Sequence, residues 1–393
     1  MKVVTRAQAR RRRFTLGSKG RMMSEDRGHR VAVGPRRAMS SRRAALAIGM
    51  AVMSLLPHPA SATERPRYDA FHQGTFLSYL NAPEKGADMT RSPRLGLSFG
   101  GEVRPVLMDT GSTGIVVSAS RIPGFEAMPS LPGRLTYSSS GRIMIGRWVT
   151  LPVTLVGRDE ASVTTAPIPV LAVTRIECTD GARDCSPQTM PEHVAMMGVG
   201  FGREGDAQSQ STPDTNPLLN LAPDGRSPVR RGYVVTRDGV HVGLTGANTR
   251  GDFRVLKLDP HPDIPGEWQG VPVCITIDGQ APGACGRALV DTGVSVMYLT
   301  LPKDGVSGAV AADDDGRNRF LPGTRLGFSF PGQGSAPAAA YDIVVGEDSP
   351  LAPDKVTLNT RRPEPFVNTG LRFLNGFDVL YDADGGYFGF RRR

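Results

Sequence analysis

The chain has 393 residues, room for about two ordinary domains, and its 39% hydrophobic and 22% charged residues describe a globular protein that needs no staple to hold a core. A net charge of +9 invites a nucleic-acid reading, but residues 1–62 hold 14 Lys and Arg against only Glu25 and Asp26, leaving 33 basic and 36 acidic residues in the rest. The basic excess belongs to the leader, so the remainder has no electrostatic footprint for a nucleic-acid partner.

From Met39 the sequence reads MSSRRAALAIGMAVMSLLPHPASATERP. Arg42 and Arg43 supply a positive start, Ala44–Leu56 an apolar stretch too short to span a bilayer, and Ala60-Ser61-Ala62 a small-x-small cleavage site. This three-part pattern predicts a signal peptide ending at Ala62, and Ser41-Arg42-Arg43 weakly resembles a twin-arginine signal. The expectation is an exported chain, periplasmic or secreted, with no stable membrane span once the signal is removed. Four cysteines form two close pairs, which in an exported chain read as short-loop disulfides, most simply Cys178–Cys185 and Cys274–Cys285. Without export, four buried thiols are the alternative. No CxxC occurs, so zinc and thioredoxin-like chemistry have no support.

Beyond the leader, short apolar runs are punctuated by Gly, Pro, Asn and Asp, and the 47 glycines and 32 prolines favour a turn-rich, mostly β chain. PRLGLSFGG (93–101), VRPVLMDTG (103–111), GIVVSAS (114–120), WVTLPVTLVG (148–157) and APIPVLAV (166–173) have strand lengths and β-branched content. The only helical candidate in the first half is a short one around Asn216–Leu221. Residues 204–216 and 308–319 are polar and read as surface loops; the AspAspAspGly run in the latter lacks the distal ligands of a calcium loop. GYVVTRDGVHVGLTG (232–246) predicts a hairpin turning at Asp238-Gly239, and residues 271–300 predict two strands joined at Asp278-Gly279. The chain closes in a hairpin, FLNGFDVLYDADGGYFGFRRR (373–393).

The sequence Asp-Thr-Gly occurs twice, in LMDTGSTG (107–114) and LVDTGVSV (289–296), each time at the end of an apolar run. Gly111 and Gly293 allow a backbone path that other residues resist, and Thr110 and Thr292 can hydrogen-bond across to the opposite copy. Asp109 and Asp291 would then lie side by side, sharing one proton because two carboxylates in contact cannot both ionise cheaply. One can act as general base toward a water while its protonated partner polarises a carbonyl, which hydrolyses a peptide bond without metal or cofactor.

These two turns, with LTYSSSG (135–141), MMGVGFG (196–202), YVVTRDGVHVGLTG and FLNGFDVLYDADGGYFGF (373–390), resemble the pepsin-like aspartic proteases over roughly residues 90–390, in a bacterial exported form. The resemblance implies an all-β, bilobal fold of double-ψ β-barrel lobes with a central interlobe sheet. Beyond the leader over 1–62, it implies an N-terminal lobe over 63–240 and a C-terminal lobe over 241–393. It further implies Asp109 and Asp291 as the catalytic pair, a flap carrying Tyr137, and Gly376 in the closing segment as the counterpart of the glycines in MMGVGFG. The substrate would be a peptide or protein bound by a monomer.

Ser112, three residues after Asp109, can hydrogen-bond that carboxylate as in the family, whereas its counterpart Val294 has no hydroxyl. Loss of that donor predicts that Asp291 becomes harder to ionise. The six histidines show no paired ligand spacing, and no GxSxG elbow is present. GVGFG (198–202) lacks the spacing, helix and Lys of a nucleotide loop. A non-enzymatic relative that binds a peptide or protein in the same cleft is the rival reading, and a processing protease with one cognate partner a third.

Overall fold

A computed structural model describes residues 66–393 except 138–139, 181, 183–184, 204–211, 224, 226–227, 282, 304–305, 307, 313–315, 317 and 333–335. The signal-peptide reading of 1–62 falls outside these residues, as does most of the AspAspAspGly run. The described chain is all-β and built as two lobes. Its strands form three sheets, and among the described residues only short 3-10 turns interrupt them.

The ten-stranded sheet of the first lobe contains the runs anticipated from composition, including Arg94–Ser98, Arg104–Asp109, Thr113–Ser118, Arg142–Leu151 and Ile168–Cys178. Thr113–Ser118 is buried at every position, its apolar centre Ile115–Val117 flanked by buried Thr113 and Ser118. The nine-stranded sheet of the second lobe contains Val271–Ile277, Ala284–Leu289, Met297–Thr300 and Phe366–Asn368. Asp278 and Gly279, both at positive φ, make the tight turn that follows Val271–Ile277.

A six-stranded sheet joins the lobes. At its centre Arg230–Val235 pairs antiparallel with Phe377–Asp382, bringing together segments about 150 residues apart. Arg230–Val235 also pairs with Gly239–Leu244, and Phe377–Asp382 with Tyr387–Arg392, as the two hairpin signals predict. The boundary at 240/241 expected between lobes thus falls inside a strand of this shared sheet. Buried Asp382 ties it together, accepting from Arg230 Nε and Nη2 (2.9 Å each), Tyr68 Oη (3.1 Å) and the Gly385 N–H (3.0 Å). A carboxylate this deep is tolerable only when so fully bonded. One apolar core runs from Leu95 and Met108 through Tyr233 and Val379 to Phe328 and Phe373.

Three expectations are corrected. Around Asn216–Leu221 no helix forms. Pro213–Thr215 is a 3-10 turn, and the buried Asn216 side chain bonds the Val199 and Gly200 carbonyls and the Leu218 N–H, holding the backbone in a turn. Pro213, Thr215 and Asn216 are buried, so this end of the supposed 204–216 surface loop is interior. In 308–319, Val310–Ala312 and Asn318–Phe320 pair as a small antiparallel ladder, anchored by buried Phe320, despite the polar composition. Both disulfides form as paired in sequence, Cys178–Cys185 and Cys274–Cys285, the latter between direct partners on adjacent strands.

Candidate active site

Strand Arg104–Asp109 delivers Asp109 to the end of the first-lobe sheet, and Thr113–Ser118 carries the chain away. Between them lies Ala195–Val199, parallel to the first with Gly198 opposite Asp109, and antiparallel to the second with Gly198 opposite Gly114. The space is tight: a Cβ on Gly198 would lie 2.5 Å from the Thr113 nitrogen. The second lobe repeats this arrangement. Ala284–Leu289 leads to Asp291, Met297–Thr300 leads away, and Phe366–Asn368 runs between them, Asn368 opposite Leu289 on one side and Tyr298 on the other.

This register corrects the assignment of Gly376. Since Asn368 faces the residue two before Asp291, the position that matches Gly198 is Gly370, two residues on. Gly370 has φ +67°, and a Cβ there would sit 2.9 Å from the Val296 carbonyl oxygen. Gly376 ends the 3-10 turn Leu371–Asn375 and faces only the Leu351 side chain. The local wording FLNG imitates the motif; the strand pairing does not support it.

The two turns interlock. The Thr110 N–H donates to Thr292 Oγ1 and the Thr292 N–H to Thr110 Oγ1, both at 3.0 Å. Thr292 Oγ1 donates in turn to the Met108 carbonyl (2.8 Å) and Thr110 Oγ1 to the Val290 carbonyl. Each hydroxyl is spent on one accepted and one donated bond, which fixes both turns in a single geometry. Across this link the carboxyls face each other. A Cβ on Gly111 would lie 2.4 Å from Asp291 Cγ, and one on Gly293 2.5 Å from Asp109 Oδ1. Each Gly is therefore the space into which the opposite carboxyl fits.

Both aspartates are buried, and their oxygens are bonded in parallel fashion. The Gly111 N–H donates to Asp109 Oδ1 (2.7 Å) and the Gly293 N–H to Asp291 Oδ1 (2.8 Å). On the outer oxygens, Ser112 Oγ is 2.6 Å from Asp109 Oδ2, and Asn368 Nδ2 donates to Asp291 Oδ2 at 2.6 Å. Burial, reinforced by the neighbouring Asp291 charge, pushes the Asp109 carboxyl up to about 7, with the Ser112 and Gly111 bonds opposing. The expectation that Asp291 is made harder to ionise loses its premise in the structure. That expectation assumed Asp291 to lack a side-chain donor because Val294 has no hydroxyl; Asn368 supplies one.

A cleft of about 440 Å³ opens over the pair, with Tyr137, Met196, Val294, Tyr298 and Phe366 in its walls. Tyr137 ends the strand Ser130–Tyr137, paired along its length with Arg142–Leu151. Burial and the Asp109 charge push its hydroxyl well above the usual tyrosine range, so it faces the cleft as a neutral donor. Arg203 borders the same cleft, its Nε donating to the Gly111 carbonyl (2.9 Å). Sequence reasoning missed Asn368 and Arg203. Aligning VNTG (367–370) with MMGVG on the glycine would have exposed Asn368 opposite Met196, the only sequence signal for it.

No family model matches the chain, and no curated protein matches it. Among the solved structures that resemble it is the aspartic proteinase from Irpex lacteus, 16% identical, with 81% of this chain and 97% of that chain covered at a TM-score of 0.48.

Proposed function

We propose that the chain is an aspartic endopeptidase that hydrolyses peptide bonds in the interlobe cleft, with Asp109 and Asp291 as its catalytic residues. The observation that carries this reading is the mutual fit of the two carboxyls into the spaces left by Gly111 and Gly293. Burial and the neighbouring Asp291 carboxyl raise Asp109 to about 7, and of the one proton the pair shares we assign Asp109 the role of acid and Asp291 that of base. Asp291 takes a proton from a water whose oxygen attacks the scissile carbonyl carbon, while the Asp109 proton passes to the carbonyl oxygen, giving a neutral gem-diol. On collapse, a gem-diol hydroxyl returns its proton to Asp109, Asp291 gives its proton to the departing nitrogen, and the C–N bond breaks. Thr110 and Thr292 keep the carboxyls in contact, Gly111, Gly293 and Ser112 hold their oxygens, and Tyr137 donates over the bound peptide.

The chain would work as an exported monomer after loss of residues 1–62, on an extended peptide or unfolded protein paired along the cleft by backbone bonds. Two disulfides support export, and no helix among the described residues is long and apolar enough to cross a membrane. The test is cleavage of a denatured protein between pH 4 and 7 by the wild type and by Asp109→Asn. The expected loss on substitution is at least about 10³-fold in kcat, within the range for removal of a general acid. Equal cleavage by both would overturn the assignment. A wild type that cleaves nothing yet binds peptides, with no preference for a statine-type hydroxyl mimic, would support the rival reading of a cleft that only binds.

A further inference from the structure

On the reading that the paired aspartates hydrolyse peptide bonds, we propose that Asn368 is the positioning residue of Asp291, replacing from a neighbouring strand the hydroxyl that Val294 lacks and making Asp291 the charged member of the pair. Four observations carry this. Each carboxyl has one side-chain donor on its outer oxygen, at 2.6 Å in both cases. The two donors reach their carboxyls by different routes. Ser112 lies three residues past Asp109 in the same turn, while Asn368 lies on strand Phe366–Asn368, and the residue at its register position in the first lobe is the apolar Met196. Where one lobe has hydroxyl and methionine, the other has valine and amide, so each carboxyl keeps a single donor.

The orientation of the amide follows from the backbone. The Gly370 N–H donates to Asn368 Oδ1 (3.0 Å), so the oxygen end of the side chain is occupied and the NH₂ end faces Asp291. Asn368 is also buried, in a setting where such a bond is little diluted by water.

The chemical difference between the donors sets the asymmetry of the pair. A serine hydroxyl donates to a carboxylate or accepts from a carboxylic acid, so Ser112 suits Asp109 in either state. An amide NH₂ only donates, so Asn368 is satisfied by an ionised Asp291 and left facing an O–H if the proton moves to Oδ2. Asn368 thereby keeps the base ready and the proton on the opposite carboxyl. It acts through Asp291.

The experiment compares wild type, Asn368→Leu, Asn368→Leu/Val294→Thr and Asn368→Asp on a peptide containing a cleavage site mapped in a denatured protein. The readouts are kcat and KM from pH 3 to 8, with thermal unfolding alongside. Loss of one charge-assisted donor in Asn368→Leu lowers kcat by about 10–100-fold with KM nearly unchanged. The acid limb of the kcat profile moves up by about one pH unit, because Asp291 must now ionise without its donor. Val294→Thr, which returns a hydroxyl to the position equivalent to Ser112, restores most of the activity and moves the limb back. Asn368→Asp retains Oδ1 for the Gly370 N–H, so it serves if the Leu variant fails to fold. Its carboxyl donates only when protonated, and its activity is confined to the acid end of the range. An Asn368→Leu or Asn368→Asp profile that superimposes on wild type, or a folded double variant with no recovery, overturns the role. A wild type inactive at every pH instead overturns the hydrolase reading on which the role rests, a failure visible before any variant is made.

Discussion

The turn that carries Asp109 and the turn that carries Asp291 share their ladder register, their Thr–Thr link and the N–H donor to Oδ1, yet they differ at the outer oxygen. In the first lobe the donor is local, Ser112, and the neighbouring strand contributes the apolar Met196. In the second the local position is apolar, Val294, and the neighbouring strand contributes Asn368. The comparison teaches that the requirement lies in the carboxyl oxygen and not in any one sequence position. A buried acceptor must be satisfied, and the fold offers two places from which to do it.

The register equivalence of the two loops can be broken by adding a methyl group at their narrowest points, which carries the largest expected effect on stability. Gly198→Ala drives a Cβ to 2.5 Å from backbone that cannot retreat, and Gly370→Ala adds a positive φ to a 2.9 Å contact. Each loses about 3 kcal/mol in chemical denaturation. Gly376→Ala meets only the mobile end of Leu351 and loses within about 1 kcal/mol. Equal losses at Gly370 and Gly376 would contradict the pairing.

A smaller effect sharpens the asymmetry of the carboxyls. Asp109 holds its proton more tightly folded than unfolded, raised from an ordinary value of 3.8 to about 7. Its contribution to stability is therefore full below about pH 4 and is lost as pH rises through about 7. Asp109→Asn removes this dependence. Its Tm at pH 7 exceeds that of wild type by several degrees, and the gap closes toward pH 4. A gap that is constant with pH would remove the proton from Asp109.

Much of this was legible in sequence because its signals are local. Asp-Gly turns mark two of the hairpins, alternating apolar runs mark the strands, and the doubled Asp-Thr-Gly marks the site. What was not legible depends on pairing. Asn368 lies 77 residues beyond Asp291 and meets it only through a parallel ladder. Gly376 closes a run, FLNG, that reads like the right strand but folds as the end of a 3-10 turn. Asn216 looks helical in context, yet its side chain bonds backbone carbonyls on another strand. Val310–Ala312 and Asn318–Phe320 are short strands within a polar stretch that passes for loop, held by Phe320, which is buried, and Val310, which packs against the core. For Asn368 and Asn216 a contact distant in sequence overrode the local pattern.

The account rests on one shared proton held by Asp109, and carboxyl-carbon NMR of protein labelled at aspartate reads it directly. The prediction is one carboxyl resonance titrating near pH 7 in the wild type, absent from Asp109→Asn and retained, at lower pH, in Asp291→Asn. No carboxyl titrating above about pH 5, or a resonance lost with Asp291→Asn and kept in Asp109→Asn, would contradict it.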